Sequence, residues 1–221
     1  MRGSRQVFLL AVVVAGAAPV NAAGQEISVG GRGGTFGLGG EVVLGFGGTF
    51  ALRAGLGAVP VTPGATFSGI RYEVEPPSML ATAGADVHLT GGLRLVGGIL
   101  FGAEETDFTA RLTRSTRIGS HVYTPEQAGT LLGTLRSRKA APFVGLGFGS
   151  YDDARVGVTL EVGVAFLGEN DLELAATGSF ASDATFRQDL ELERAAVEDD
   201  LRRYTRYLPM LNLGIHVVVA R

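Results

Sequence analysis

Cysteine and tryptophan are absent from this sequence, and histidine occurs three times. The missing cysteines exclude a disulfide scaffold, thiol catalysis and Cys-ligated zinc or iron–sulfur sites. Charged residues are scarce, at 19% of 221, and the formal net charge is −3. An acidic balance of that kind argues against nucleic acid as a partner. Proline numbers eight, too few for a Pro-rich disordered tract. After residue 23 no run of 18 apolar residues occurs, which excludes a bundle of transmembrane helices. What the chain has instead is glycine: 34 residues, about 15% and roughly twice the usual share. With 46% hydrophobic residues and a mean hydropathy of +0.26, the chain is expected to fold, and its length suits one domain.

Residues 1–22 read as a secretory signal peptide. Arg2 and Arg5 form the positive start, Val7 to Ala18 the apolar stretch, and Val20-Asn21-Ala22 a cleavage site of small residues. Cleavage after Ala22 would remove two of the 19 basic residues and leave a formal charge of −5. Residues 23–221 then form the exported domain.

That domain is predicted to be built of strands. Phe50, Leu52, Ala54, Leu56 and Ala58 share one face, and Arg53, Gly55 and Gly57 the other. The same alternation runs through Leu93, Leu95, Ile99 and Phe101, through Val156 to Phe166, and through Leu211 to Val219. Weaker runs cover 37–46, 78–89, 141–150 and 172–180, which makes eight segments of about ten residues. Residues 27–33 offer one more. The apolar face is unbroken by charge and long enough for a tilted strand to cross a bilayer, while the other face is glycine and isolated charges. The pattern therefore predicts an all-β fold: one antiparallel up-and-down transmembrane β-barrel of 8–10 strands, closed because lipid leaves no partner for a free strand edge.

Gly47-Gly48, Thr90-Gly91-Gly92 and Tyr151-Asp152-Asp153 are predicted hairpin turns, whereas 60–70 and 104–140 are long connectors. The second of these holds Arg111, Arg114, Arg117, Arg136, Arg138 and Lys139, and a helix start at Thr124-Pro125-Glu126-Gln127. Its edges are expected to prolong the barrel strands. An amphipathic helix is predicted over 183–206, from Phe186, Leu190, Val197, Leu201 and Tyr204 at helical spacing. Ser182 or Asp183 would cap it, with Glu191, Glu193, Glu198, Asp199 and Asp200 in solvent. Counting hairpins from residue 35 puts this helix on the side of the tight turns.

The runs Gly34-Thr35-Phe36-Gly37-Leu38-Gly39-Gly40-Glu41, Leu52-Arg53-Ala54-Gly55, Leu93-Arg94-Leu95-Val96-Gly97-Gly98 and Ala141-Pro142-Phe143-Val144-Gly145-Leu146-Gly147-Phe148-Gly149 carry a likeness. So do Val122-Tyr123-Thr124 and Tyr207-Leu208-Pro209-Met210-Leu211-Asn212-Leu213-Gly214. Through them the chain resembles the opacity-type and OmpW/OmpX-like family of small Gram-negative outer-membrane barrels. The resemblance implies a barrel in the cell outer membrane, not a reaction. Barrels of this kind usually end in an aromatic residue that aids recognition by the assembly machinery; this chain ends Val219-Ala220-Arg221.

By strand parity Glu41, Arg53, Asp86, His88, Arg94, Glu161, Glu173 and His216 project into the lumen, and charges in a narrow interior must pair. Arg53 and Arg94, read as lying on neighbouring central strands, are each expected to meet Glu41, Asp86 or Glu161. A salt-bridged plug is the first reading of this set, and a selective polar path is the second. The glycine strings at 37–40 and 145–149 lie inside strands and lack the following helix of a phosphate loop. His121 with Ser115, Ser120 or Glu126 has no positional signature of catalysis. No enzyme activity, cofactor or metal site is expected. The expected role is structural, surface-interacting or envelope-stabilising, with a narrow channel or carrier as the alternative. The expected partners are outer-membrane lipid, lipopolysaccharide and the barrel-assembly machinery. No nucleic acid is expected, and the chain should be a monomer.

Overall fold

The computed structural model describes residues 25–149, 156–168 and 170–221, without the side chains of 202–205. The segment expected to be a signal peptide and the turn expected at 151–153 lie outside these residues. In chain order, β1 (Gln25–Gly34), β2 (Leu38–Phe46) and β3 (Phe50–Ala58) form a meander. A long connector carries β4 (Gly64–Phe67) and β5 (Ile70–Glu75). The hairpin β6 (Met79–His88) and β7 (Leu93–Phe101) follows. A second long connector holds β8 (Glu105–Arg111), β9 (Thr116–Ile118), β10 (His121–Tyr123), the short α1 (Pro125–Ala128) and β11 (Thr130–Arg136). Next come β12 (Ala140–Phe148) and β13 (Val156–Phe166). A third connector holds β14 (Asp171–Ala176) and α2 (Ala184–Thr205), and β15 (Tyr207–Ala220) ends the chain.

Eight strands close into an antiparallel barrel in the order β1-β15-β13-β12-β7-β6-β3-β2. Closure joins the first strand to the last, with Val29 opposite Val217 and Gly33 opposite Leu213. The stripes read from the sequence lie outside: Leu52, Leu56, Leu95, Ile99, Val158, Val162, Leu211 and Ile215 are all exposed. Phe50 and Phe148 stand at one end of this apolar belt, and Phe101, Phe166 and Tyr207 at the other. The eight steps from Ala140, opposite Phe101, to Phe148 cover roughly 20 Å along the barrel axis at about 3.3 Å per residue and about 40° of tilt. That is close to the apolar height of a membrane barrel.

The three long connectors do not simply extend the barrel strands. They assemble a second, five-stranded sheet, β14-β11-β8-β5-β4, at one end of the barrel. The segment 172–180, expected as a barrel strand, supplies β14 to this cap, and 25–34 takes its place in the barrel. β14 has six residues, too few to cross a bilayer, and it pairs with β11. The barrel count remains eight, but the exchange reverses the helix's side. α2 lies with the long connectors, not with the tight turns. Asp183 caps it, accepting from the Phe186 N–H at 2.9 Å. Thr124 and Gln127 form a reciprocal capping box on α1.

Two main apolar cores result. One lies in the cap, where Tyr72, Phe108, Leu131, Leu135 and Leu172 pack against Phe186, Leu190, Val197 and Leu201 of α2. The other is a layer inside the cap-side end of the barrel. There Phe36 of the β1–β2 turn meets Leu80, Leu100, Ala141, Phe143, Ala165 and Met210, which lie within the first or last few residues of their strands.

Candidate functional site

The face of each barrel strand is set by its apolar neighbours. A one-residue slip would put every stripe inside and every charge in lipid, so the register is strongly determined. The alternation therefore sends Glu41 of β2, Arg53 of β3, Asp86 of β6, Arg94 of β7, Glu161 of β13 and His216 of β15 inward, and all six are buried. Glycine makes the room that these side chains occupy. A Cβ at Gly147 would meet Arg94 Nη2 at 2.9 Å, and one at Gly55 would meet Arg32 Cζ at 3.0 Å.

These groups form one connected network across the lumen. Arg53 bonds Glu161 through Nη1, lies 3.3 Å from Asp86 Oδ1 through Nε, and 3.9 Å from Glu41 Oε2. Arg94 bonds Asp86, approaches Glu161 Oε1 at 3.6 Å, and donates from Nε to the Gly149 carbonyl at 3.0 Å. Arg32 lies 3.8 Å from Glu41 Oε2, and His216 Nε2 lies 2.6 Å from Glu41 Oε1. Three guanidiniums thus face three carboxylates. Arg94 and Asp86 are each 0% exposed. Cation–π contacts join this polar layer to the apolar one: the Arg53 guanidinium lies 5.8 Å from the Phe143 ring centroid, and Arg32 lies 5.8 Å from Phe36. Phe36 and Phe143 meet edge to face at 5.5 Å. A buried ionic layer thus spans the lumen, with an apolar layer on its cap side.

Arg53 and Arg94 are not on neighbouring strands. β6 runs between theirs, and its Asp86 bridges the two. His88 sits in β6 at the short-turn end, opposite Arg94 in register and half-buried. Glu173 is not in the lumen. It belongs to β14 of the cap, is exposed and bonds Arg136, because strand parity was carried into a segment that leaves the barrel. Sequence reasoning missed Arg32, which Gly31 and Gly33 flank in place of an apolar stripe. It also did not count the buried Thr82, Thr159 and Asn212 among the site residues, although the alternation puts Thr159 and Asn212 on the inward face; the Asn212 Oδ1 accepts from the Phe36 N–H at 3.2 Å.

A second polar cluster lies in the cap. Asp189 of α2 is buried and accepts from the Ser120 N–H at 2.9 Å and from the Tyr123 hydroxyl, with His121 Nδ1 at 2.7 Å from Oδ2. Burial opposes its ionisation, but the bonds from Tyr123, Ser120 and His121 outweigh that and hold its pKa below the ordinary value. The Tyr123 phenol is pushed up to about 12, by burial first and then by Asp189. Glu193, expected in solvent, is buried on the same helix face. Its carboxyl pKa is raised by burial and by Asp200, against the opposing bonds from Ser68 and Gly119. Asp189 went unread, and Glu193 was expected in solvent, because both interrupt the apolar stripe of α2 with the residue types of its wet face.

No protein-family model matches the chain, and no curated protein sequence is similar to it. Solved structures do match. The fold is similar to the crystal structure of CarO2 from Acinetobacter baumannii, with a TM-score of 0.61 and 20% identity over 88% of this chain and 98% of that one. CarO from the same organism matches with a TM-score of 0.56 and 20% identity over 87% and 97%. At such identity the likeness is one of fold: a closed eight-stranded barrel of the outer-membrane type.

Proposed function

We propose that the protein is an integral barrel of the bacterial outer membrane whose lumen is sealed, and that its role is structural or surface-interacting rather than solute passage. The observation that carries this reading is the buried network of Arg53, Asp86, Arg94 and Glu161 beneath the Phe36–Phe143 layer. Two obstacles of opposite chemistry stand in series, so a solute suited to one is rejected by the other. The barrel then acts as an anchor. It presents the five-stranded cap and α2 on the side of the long connectors, which in outer-membrane barrels is the cell exterior.

Planar-bilayer recording of the refolded protein tests the reading. The wild type is expected to be silent. Reproducible unit currents from wild-type protein, absent from detergent controls, would refute the seal and favour a narrow channel. In cells, the mature chain is expected to stay with the outer membrane through carbonate washing.

A further inference from the structure

We propose that the cap-side rim of the barrel binds the phosphate groups of lipopolysaccharide through Arg138, Lys139 and Arg206. The proposal rests on the outer-membrane reading above and names a partner site for it.

The rim is the ring of short segments where barrel strands pass into the cap. Around most of it, at 35–37, 59–63 and 76–78, the sequence has no charged residue. Among the described rim residues, charge is confined to the sector above β7, β12, β13 and β15, where Arg138, Lys139 and Arg206 outnumber Glu104. Backbone bonds knit this sector together: the Arg138 N–H donates to Leu167 O at 3.4 Å, and the Leu167 N–H to Arg206 O at 3.1 Å. All three cations are exposed. The nearby carboxylates Glu105 and Glu173 are engaged by Arg136. Arg138, Lys139 and Arg206 have no carboxylate partner among the described residues.

Two features make this more than a scatter of surface charge. First, the arginines are supported. The Arg206 guanidinium lies 5.8 Å from the Tyr207 ring centroid. Arg138 lies over Gly168, where a Cβ would meet its Nε at 2.5 Å, at a φ of +84°. Second, the sector stands directly on exposed aromatic residues: Phe166 pairs in register with Tyr207, their rings 5.8 Å apart, and Phe101 pairs with Ala140. Aromatic residues of this kind sit at headgroup level. Cations just above apolar rings match an amphiphile with phosphates on its headgroup and acyl chains below. Guanidiniums suit phosphate because their planar donors can engage it bidentately.

The test uses the full mature chain refolded in micelles, titrated with bisphosphorylated lipid A, the same lipid without phosphates, and inorganic phosphate. Wild-type protein is expected to bind the phosphorylated lipid, more weakly as salt rises, and to show no comparable binding of the other two. A cation near an anionic surface contributes about 1 kcal/mol, a fivefold change in affinity. The R138A/K139A/R206A variant should therefore bind roughly a hundredfold more weakly. Gly168→Ala, which displaces Arg138, should lose about fivefold. If the triple variant does not refold, the exposed single change Lys139→Glu carries the test, with a loss of at least fivefold expected. Equal binding by wild type and variants, equal binding of the lipid lacking phosphates, or equally tight inorganic phosphate would overturn the proposal. Wild-type protein that inserts into vesicles yet shows no preference for the phosphorylated lipid sinks the site alone. Failure of the wild type to insert sinks the outer-membrane reading with it.

Discussion

A guanidinium at the centre of a narrow barrel is expensive to desolvate, and its cost is recovered only through close carboxylate partners. Arg53 meets that condition three times, with Glu161, Asp86 and Glu41. Arg53→Ala leaves these carboxylates with uncompensated charge and is expected to cost roughly 3–5 kcal/mol, read by urea unfolding in lipid vesicles. Unchanged stability would mean that the network does not hold the barrel. Glu193 carries the opposite sign of effect. Its pKa is raised in the folded cap, so folding favours its protonated form. That contribution is complete below the ordinary carboxylate value of about 4.3 and is lost as pH rises through the raised folded value. Glu193→Gln should therefore make the cap more stable than wild type at pH 8, with the difference closing near pH 4. Melts followed by tyrosine near-ultraviolet dichroism at both pH values check this. Asp189, held below its ordinary value, stabilises the cap above about pH 4 and loses that contribution as pH falls through its folded value.

Among the elements, β13 shows the clearest division of labour. Val158 and Val162 face outward, while Thr159, Glu161 and Ala165 face inward. Val162 lies opposite Leu146 of β12 and Leu211 of β15, both also exposed. An arginine at this mid-strand position meets lipid on every side, and Val162→Arg is expected to cost roughly 2–4 kcal/mol in a bilayer. Refolding into vesicles with wild-type stability would show that this face does not contact lipid. β14 alternates in much the same way, and pattern alone did not separate it from a spanning strand. Its length and its pairing with β11 separate it, because Leu172 packs into the cap core beside α2.

On the scale of the whole molecule, the barrel is closed by β1 against β15, and its layer of apolar side chains is separate from the core of the cap. A closed barrel should resist detergent until heated. Unboiled protein is therefore expected to run at a different gel mobility from boiled protein, and identical mobilities would contradict closure. Because the cap has its own core, Phe186→Ala should loosen α2, at a cost of about 3–5 kcal/mol, and open the cap to limited proteolysis. The heat-dependent mobility shift should survive that change.

Sequence by itself determined seven of the eight barrel strands, their outward apolar stripes and the inward parity of Glu41, Arg53, Asp86, Arg94, Glu161 and His216. Period-two alternation is local, and charge is not tolerated against lipid, so these features need no knowledge of distant contacts. The cap helix was legible for the same reason, since helical spacing and a capping residue are local too. Only the tertiary structure decided which eight segments close the barrel, which carboxylate meets which guanidinium, and that Glu173 and Glu193 belong to the cap. Those outcomes depend on pairings between separate segments, some more than a hundred residues apart, such as β1 with β15 and Arg53 with Glu161. An alternating pattern says which face a residue occupies, but not which strand lies beside it.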